Sequence, residues 1–294
     1  MSKVTDFGLR ADHIGLHVYN QAETIEWYKD IFGFDPGTGQ DRFRGGMFPK
    51  MRMIHLGDFD LEVYEVKNPA AYVMVDYEYS IGVKHLGFAV RKFGEWVTYA
   101  KSKGVEFVYE NYDADHSNVF VKDNTGVLIE VSNDPLADDP TVKVWGEFGI
   151  RAQHLALHVK NIEDTIEWYK AVFGFESLPV KECNYGKGGI APKMQEIILG
   201  GFIIELYEVP TAEPFSYVDF EFSIGFKHLD IGIMDRAGWT KFIKDNDVPM
   251  VCVVSNANRN RPESPILPHY VLDNNNMLIE PSDERYYIEL NSQK

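Results

Sequence analysis

The sequence predicts an α+β fold made of four βαβββ modules, and three observations carry that prediction. A strand of the form ADHIGLHV at Ala11–Val18 returns as AQHLALHV at Ala152–Val159, and in weaker form as VKHLGFAV (Val83–Val90) and FKHLDIGI (Phe226–Ile233). Each of the four carries a histidine at its start, and 45 to 52 residues later comes an apolar strand with a glutamate: Glu62, Glu130, Glu205 and Glu280. Residues 10–133 also match residues 151–283: TIEWYK, FGF, PKM and YEV recur in order, and VDYEYSIGVKH answers VDFEFSIGFKH. Fixed-period self-similarity marks a tandem duplication, here of a unit of about 130 residues.

The elements follow in chain order. The first strand alternates, with His13, Gly15 and His17 on one face and Ile14, Leu16 and Val18 on the other. The helix after it has Asn20 as N-cap with Glu23 three residues on; Asn161 and Asp164 repeat this. Ile25, Tyr28, Ile31 and Phe32 form its apolar stripe, and Gly33 and Gly174 stand where the helix should stop. Alternating strands follow at Met53–Leu56 and Leu61–Val66. The second helix is predicted over Phe93–Lys103, ended by Gly104, and its counterpart runs through Trp239, Phe242 and Ile243. NDPLADDP marks an exposed linker. The expected division is residues 1–133, a linker over 134–149, and residues 150–294.

Composition bounds the function. The 294 residues are 45% hydrophobic and 25% charged, ordinary for a soluble globular protein, with no apolar run long enough for a membrane helix and no signal-peptide core. Cys183 and Cys252 are far apart and read as free thiols of a cytoplasmic protein. A net charge of −16 with scattered acids repels nucleic acid and anionic membrane. The expected partner is a small-molecule substrate, with homo-oligomerisation left open.

The histidine face should look into whatever the sheet encloses. A buried carboxylate there needs a partner, because an unpaired buried charge is costly. Two imidazoles and two carboxylates at one point suit zinc, nickel, manganese or ferrous iron. The plain alternative is that each histidine is a satisfied core residue and each glutamate pairs with a nearby Lys or Arg. A His–Glu pair repeated four times at matching places favours the metal. Gly15, Gly87 and Ala156, two residues beyond three of the histidines, are expected to leave room for a ligand; Asp230 is the fourth.

At DHIGLHVYN…TIEWYKDIFGF, LEVYEV, KHLGFAV and VKDNTGVLIEV, with their second copies, the sequence resembles the vicinal oxygen chelate superfamily. Its members include glyoxalase I, methylmalonyl-CoA epimerase, extradiol dioxygenases and drug-resistance proteins. The resemblance implies that modules pair into two half-open eight-stranded barrels, each holding a divalent metal on first-strand histidines and last-strand glutamates. Carried over in chain order, one site would be His13, Glu62, His85 and Glu130, and the other His154, Glu205, His228 and Glu280. No nucleotide cofactor is implied. Four ligands per site point to the glyoxalase I-like group: isomerase, epimerase or lyase chemistry by proton transfer beside a metal-bound oxygen, with Glu130 and Glu280 as catalytic carboxylates. Glyoxalase I usually has an arginine four residues after the first histidine to hold the glutathione carboxylate; here His17 and His158 stand there, so glutathione is not carried over. His17, His158, Tyr64 and Tyr207 are expected to line the substrate pocket.

One alternative is an extradiol Fe(II) dioxygenase using His154, His228 and Glu280, with Tyr270 at the place of that group's active-site tyrosine and Phe120 as its counterpart. Against it stand the extra Glu205 and the lack of a histidine between Leu206 and Lys227. Another is a metal-free protein that sequesters a ligand, which leaves the eight His and Glu positions unexplained. Asp230 and Tyr270, with the nearby His269, are expected to make the second half the main catalytic pocket, with Asp230 touching substrate or supporting a ligand. His55 and His116 read as surface or loop residues, Gly45-Gly46 and Gly188-Gly189 as turns, and Lys50 and Lys193 as exposed lysines.

Overall fold

The computed structural model describes residues 4–37, 50–66, 81–112, 117–179, 193–209, 224–251 and 270–283. Cys183, Cys252, His116, His269 and the two glycine pairs lie outside the described residues. After a short 3-10 turn (Val4–Phe7) the chain forms β1 (Leu9–Val18), α1 (Gln21–Phe32), β2 (Lys50–Leu56) and β3 (Phe59–Glu65). The second module is β4 (Gly82–Val90), α2 (Phe93–Ser102), β5 (Glu106–Tyr112), β6 (Ser117–Lys122) and β7 (Leu128–Asn133). The third is β8 (Ile150–Val159), α3 (Ile162–Phe173), β9 (Glu176–Ser177), β10 (Met194–Leu199) and β11 (Phe202–Glu208). The fourth is β12 (Gly225–Ile233), α4 (Arg236–Asp245), β13 (Met250–Val251), β14 (Tyr270–Leu272) and β15 (Leu278–Asp283). In the first module the strand after the helix is reduced to a bridge between Asp35 and His55.

The helix boundaries have the expected chemistry. The Asn20 and Asn161 side chains accept from the backbone N–H of Glu23 (3.3 Å) and Asp164 (2.9 Å). Gly33 and Gly174 cap the C-termini at φ 76°, a conformation that costs a residue with a Cβ.

The four modules give two sheets. One, of seven strands, runs β13-β14-β15-β12-β1-β3-β2; the other, of eight, runs β5-β6-β7-β4-β8-β11-β10-β9. Module 1 therefore joins module 4 along the antiparallel β1–β12 seam, and module 2 joins module 3 along β4–β8. This corrects the expected pairing of consecutive modules. The reason lies in the apolar faces. Consecutive modules meet through their helices: Phe32 of α1 stacks on Phe88 of β4 at 4.5 Å, and the Trp96 indole donates to the Ile31 carbonyl. The second half repeats this with Trp239 donating to the Val172 carbonyl. Tyr28 and Tyr169 reach the turns of the following module, donating to Asp123 and Asp273 (3.2 Å each). With those faces joined, the open edges β1 and β4 pair with the other half.

The linker has no helix or named strand and is largely exposed, but it is tied down at several points. Asp134 is buried and binds Arg151 through both carboxylate oxygens, while Arg91 donates to the carbonyls of Asp139 and Val142. Trp145 lies so close over Gly57 that a Cβ there would meet its ring at 1.7 Å.

Candidate metal centres

Each seam between modules gathers two histidines and two glutamates. The terminal site, on modules 1 and 4, holds His13, Glu62, His228 and Glu280; the central site, on modules 2 and 3, holds His85, Glu130, His154 and Glu205. All eight residues expected as ligands fall in these two clusters, but regrouped: Glu62 stands with His228 and Glu280, and Glu205 with His85 and Glu130. The triad His154, His228 and Glu280 is not assembled, because His154 sits in the central site and the other two in the terminal one.

Strand register explains the convergence. Gly15 lies opposite His228 across β1–β12, and Gly87 opposite His154 across β4–β8. A Cβ on either glycine would stand 2.1 Å from that imidazole. The small residues thus make room for the histidine of the partner module, not for a ligand. Ala156 holds the same relation to His85.

The distances fit a metal. In the terminal site, His13 Nε2 is 3.5 Å from Glu62 Oε2, and His228 Nε2 is 3.6 Å from Glu62 and 3.3 Å from Glu280. In the central site, His85 Nε2 is 3.1 Å from Glu130 Oε2 and 3.2 Å from His154 Nε2. His154 Nε2 is 3.5 Å from Glu130 and 3.6 Å from Glu205. Ligands held about 2.0–2.2 Å from one divalent ion stand roughly 3.0–3.6 Å apart along the edges of its coordination shell. The buried Nε2 atoms of His13 and His228 have no hydrogen-bond partner among the described residues, as ligand atoms aimed at an ion would.

Clustered carboxylates set the electrostatics. Burial disfavours the His154 imidazolium, but Glu205, Glu130 and Glu196 outweigh it and raise its pKa to about 9. Burial pushes the Glu130 carboxyl up, but His154 and His85 hold it well below the usual range. At His13 burial is again opposed, by Asp230, Asp12 and Glu62, and the imidazolium is favoured. Lys84, next to His85, is pulled down to about 7 by burial.

The other expected residues are placed as follows. Asp230 is fully buried, accepts from Ser282 Oγ at 2.6 Å, and has Oδ1 3.9 Å from His13 Nδ1. It has no surface to meet a substrate, so of the two roles expected for it the contact with substrate is corrected, and its place behind His13 fits the other, support of a ligand. Both sites combine the two halves, so the pocket expected in the second half alone is also corrected. Tyr270 meets His228 edge-on at 5.4 Å, as Phe120 meets His85 at 5.1 Å. His17 and His158 are buried against Tyr64 and Tyr207 and belong to neither ligand cluster. The Tyr207 hydroxyl donates to Glu205 at 2.7 Å. Lys50 and Lys193 pair with Glu65 and Glu208, and His55 pairs with Asp60.

Sequence reasoning missed the residues before the first-strand histidines. Asp12 Oδ2 is 3.2 Å from His13 Nδ1, and Gln153 Oε1 is 3.4 Å from His154 Nδ1. Strict alternation would send neighbours to opposite faces, but bulges at Asp12–His13 and Gln153–His154 break it. The polar residue before each histidine was the available signal.

The comparisons agree with this architecture. Residues 10–131 match the family model Glyoxalase/Bleomycin resistance protein/Dioxygenase superfamily. Among solved structures, glyoxalase I from Zea mays superposes with a TM-score of 0.69 at 15% identity, covering 98% of this chain and 96% of that one. A mutant of the same maize enzyme gives 0.70 at 15% identity, covering 98% of both chains. A candidate dioxygenase from Bacillus subtilis gives 0.64 at 12% identity, covering 93% of this chain and 84% of the other. No curated protein matches the chain by sequence.

Proposed function

We propose that this chain belongs to the vicinal oxygen chelate superfamily and is a divalent-metal-dependent isomerase, epimerase or lyase that moves a proton on a carbon beside a substrate oxygen. The observation that carries the reading is the pair of complete His–Glu–His–Glu clusters. A bound divalent ion supplies Lewis acidity toward a carbonyl or enediolate oxygen of the substrate.

The chain's own residues supply the rest. Glu280 is the most open of the eight ligands' carboxylates, its side chain 22% exposed against 5% for Glu62 and 10–13% for Glu130 and Glu205. It is the terminal-site group best placed to take and return a proton. Glu62 is deeply buried and holds position between both histidines. Tyr270, packed edge-on against His228, borders the Glu280 side of the cluster on the neighbouring strand β14. In the central site Glu130 has the corresponding strand position.

The test has two parts. Elemental analysis of protein purified without added metal is expected to find zinc, nickel or manganese, up to two ions per chain. Proton exchange is then followed by NMR in deuterated buffer with a panel of 2-hydroxycarbonyl compounds and thiol adducts of 2-oxoaldehydes. Metal-dependent deuterium incorporation, strongly reduced in Glu280→Gln, is the expected result. Iron as the native metal with oxygen uptake on catechols would overturn the reading.

A further inference from the structure

The two clusters carry the same ligand types but different groups behind their first-strand histidines. At His13, Asp12 Oδ2 lies 3.2 Å from Nδ1 and Asp230 Oδ1 3.9 Å. Arg10 holds Asp12, and Ser282 holds Asp230. The second oxygen of Asp230 is buried with no hydrogen-bond partner among the described residues. At His154 the only group at hydrogen-bond distance from Nδ1 among the described residues is the neutral Gln153, whose oxygen accepts from Ser132 at 3.2 Å. Gly87 stands there in place of Asp230. The extra acid of the central site, Glu196, lies opposite Glu205 on β10 and acts on His154 through charge.

We propose that Asp12 and Asp230 are positioning residues that make the terminal site the tighter of two divalent-metal sites, so that the chain loads in two steps, terminal site first. The inference rests on the metal-binding reading above. An imidazole that binds through Nε2 must carry its proton on Nδ1, and a carboxylate acceptor fixes that tautomer and raises the basicity of Nε2. Gln153 can fix the tautomer but adds no charge. Asp230 brings a second carboxyl group to 3.9 Å from the same Nδ1, in a water-poor place where its interaction with a dication is little screened. Groups of this kind typically change metal affinity 10–100-fold. The bulge at Asp12–His13 makes the arrangement possible, since it turns two consecutive side chains toward the single Asp230.

The test is a titration of the full chain, stripped of metal, with Co²⁺ and with Zn²⁺, read by calorimetry and by the visible absorption of bound Co²⁺. Two steps separated about 10–100-fold are expected. His13→Ala should remove the tighter step and His154→Ala the weaker. Asp12→Asn and Asp230→Asn should shift the tighter step toward the weaker one and alter the Co²⁺ spectrum of the first equivalent alone. Asp12→Glu should restore part of the affinity, and Gln153→Asp should tighten the second step. Failure of the chain to bind either ion overturns the metal reading itself. Two equal steps, or loss of the weaker step in His13→Ala, overturns only the ranking. Should Asp230→Asn not fold, the unaltered chain and the two histidine variants still decide.

Discussion

The terminal and central sites are built from the same strands of related modules, yet they differ on three sides. Behind the first histidine stand Asp12 and Asp230 in one and Gln153 and Gly87 in the other. Against the second histidine lies Tyr270 in one and Phe120 in the other. At the last glutamate, Glu280 is open, whereas Glu130 accepts from Asn118 at 2.7 Å. The ligands themselves match, and the reason is physical. Removing a histidine from between the buried glutamates leaves their charges uncompensated, a cost of several kcal/mol. The groups around the clusters do not stand between the glutamates, and there the two sites differ.

The largest expected effect comes from breaking one site and not the other. His228→Ala should lower metal content from two ions per chain to one and leave the central site loaded; His85→Ala should do the reverse. Because grouping in chain order puts His228 with His154 and Glu205, the double variants sharpen the comparison. His228→Ala with His13→Ala should still bind one ion, whereas His228→Ala with His154→Ala should bind none. Elemental analysis after dialysis checks both.

The next effect comes from the slots beside the histidines. Gly15→Ala and Gly87→Ala each drive a methyl to within 2.1 Å of a ligand imidazole. Overpacking of this kind costs about 1–3 kcal/mol, and here it also moves a ligand. Each variant should weaken one site only, the terminal for Gly15 and the central for Gly87. Ala156→Gly, opposite His85, should change metal binding little. Single-site titrations separate the three.

A comparison of the two halves away from metal gives a pH-dependent effect. Tyr28–Asp123 and Tyr169–Asp273 are equivalent buried pairs. Burial raises the Asp273 carboxyl from 3.8 to about 6, and raises Asp123 as well. The folded state therefore holds the Asp273 proton that the unfolded chain has lost between those values. Its contribution to stability is full below pH 3.8 and falls as pH rises through about 6, by up to about 3 kcal/mol. Asp273→Asn cannot ionise and should not show that fall. The difference in melting temperature between the two proteins, followed from pH 4 to 7, should shift in favour of the variant as pH rises.

Much of this was legible in the sequence because it is local. The Asn20 and Asn161 caps, the Gly33 and Gly174 stops and the apolar face of Ile14, Leu16 and Val18 all follow from neighbouring residues, and the structure has them so. All eight residues of the two candidate clusters came from the repeat. Their grouping did not, because alternation says which face of β1 is polar but not whether its edge meets β4 or β12. That choice is made by Phe32, Phe88 and Trp96, which join consecutive modules through their helices. Asp12 and Gln153 escaped notice because a bulge turned them toward the histidine beside them.

The smallest effect concerns the last glutamates. Asn118 holds Oε1 of Glu130 while His85 and His154 face Oε2, so this carboxylate is fixed on both oxygens. Among the described residues no hydrogen bond fixes Glu280, which only approaches His228 at 3.3 Å. A carboxylate that moves a proton gains from freedom at one oxygen, whereas one that only binds gains from being fixed. Asn118→Ala removes one hydrogen bond to a charged group, worth about 1.5–3 kcal/mol when buried and less at this partly buried pair. It should loosen metal in the central site a few-fold and leave the terminal site untouched. It should also let the central site exchange substrate protons faster, measured by deuterium incorporation in a His13→Ala background where only that site is loaded. A slower exchange with the same metal content would mean that Asn118 aligns Glu130 for the reaction, and that the two glutamates work in the same way.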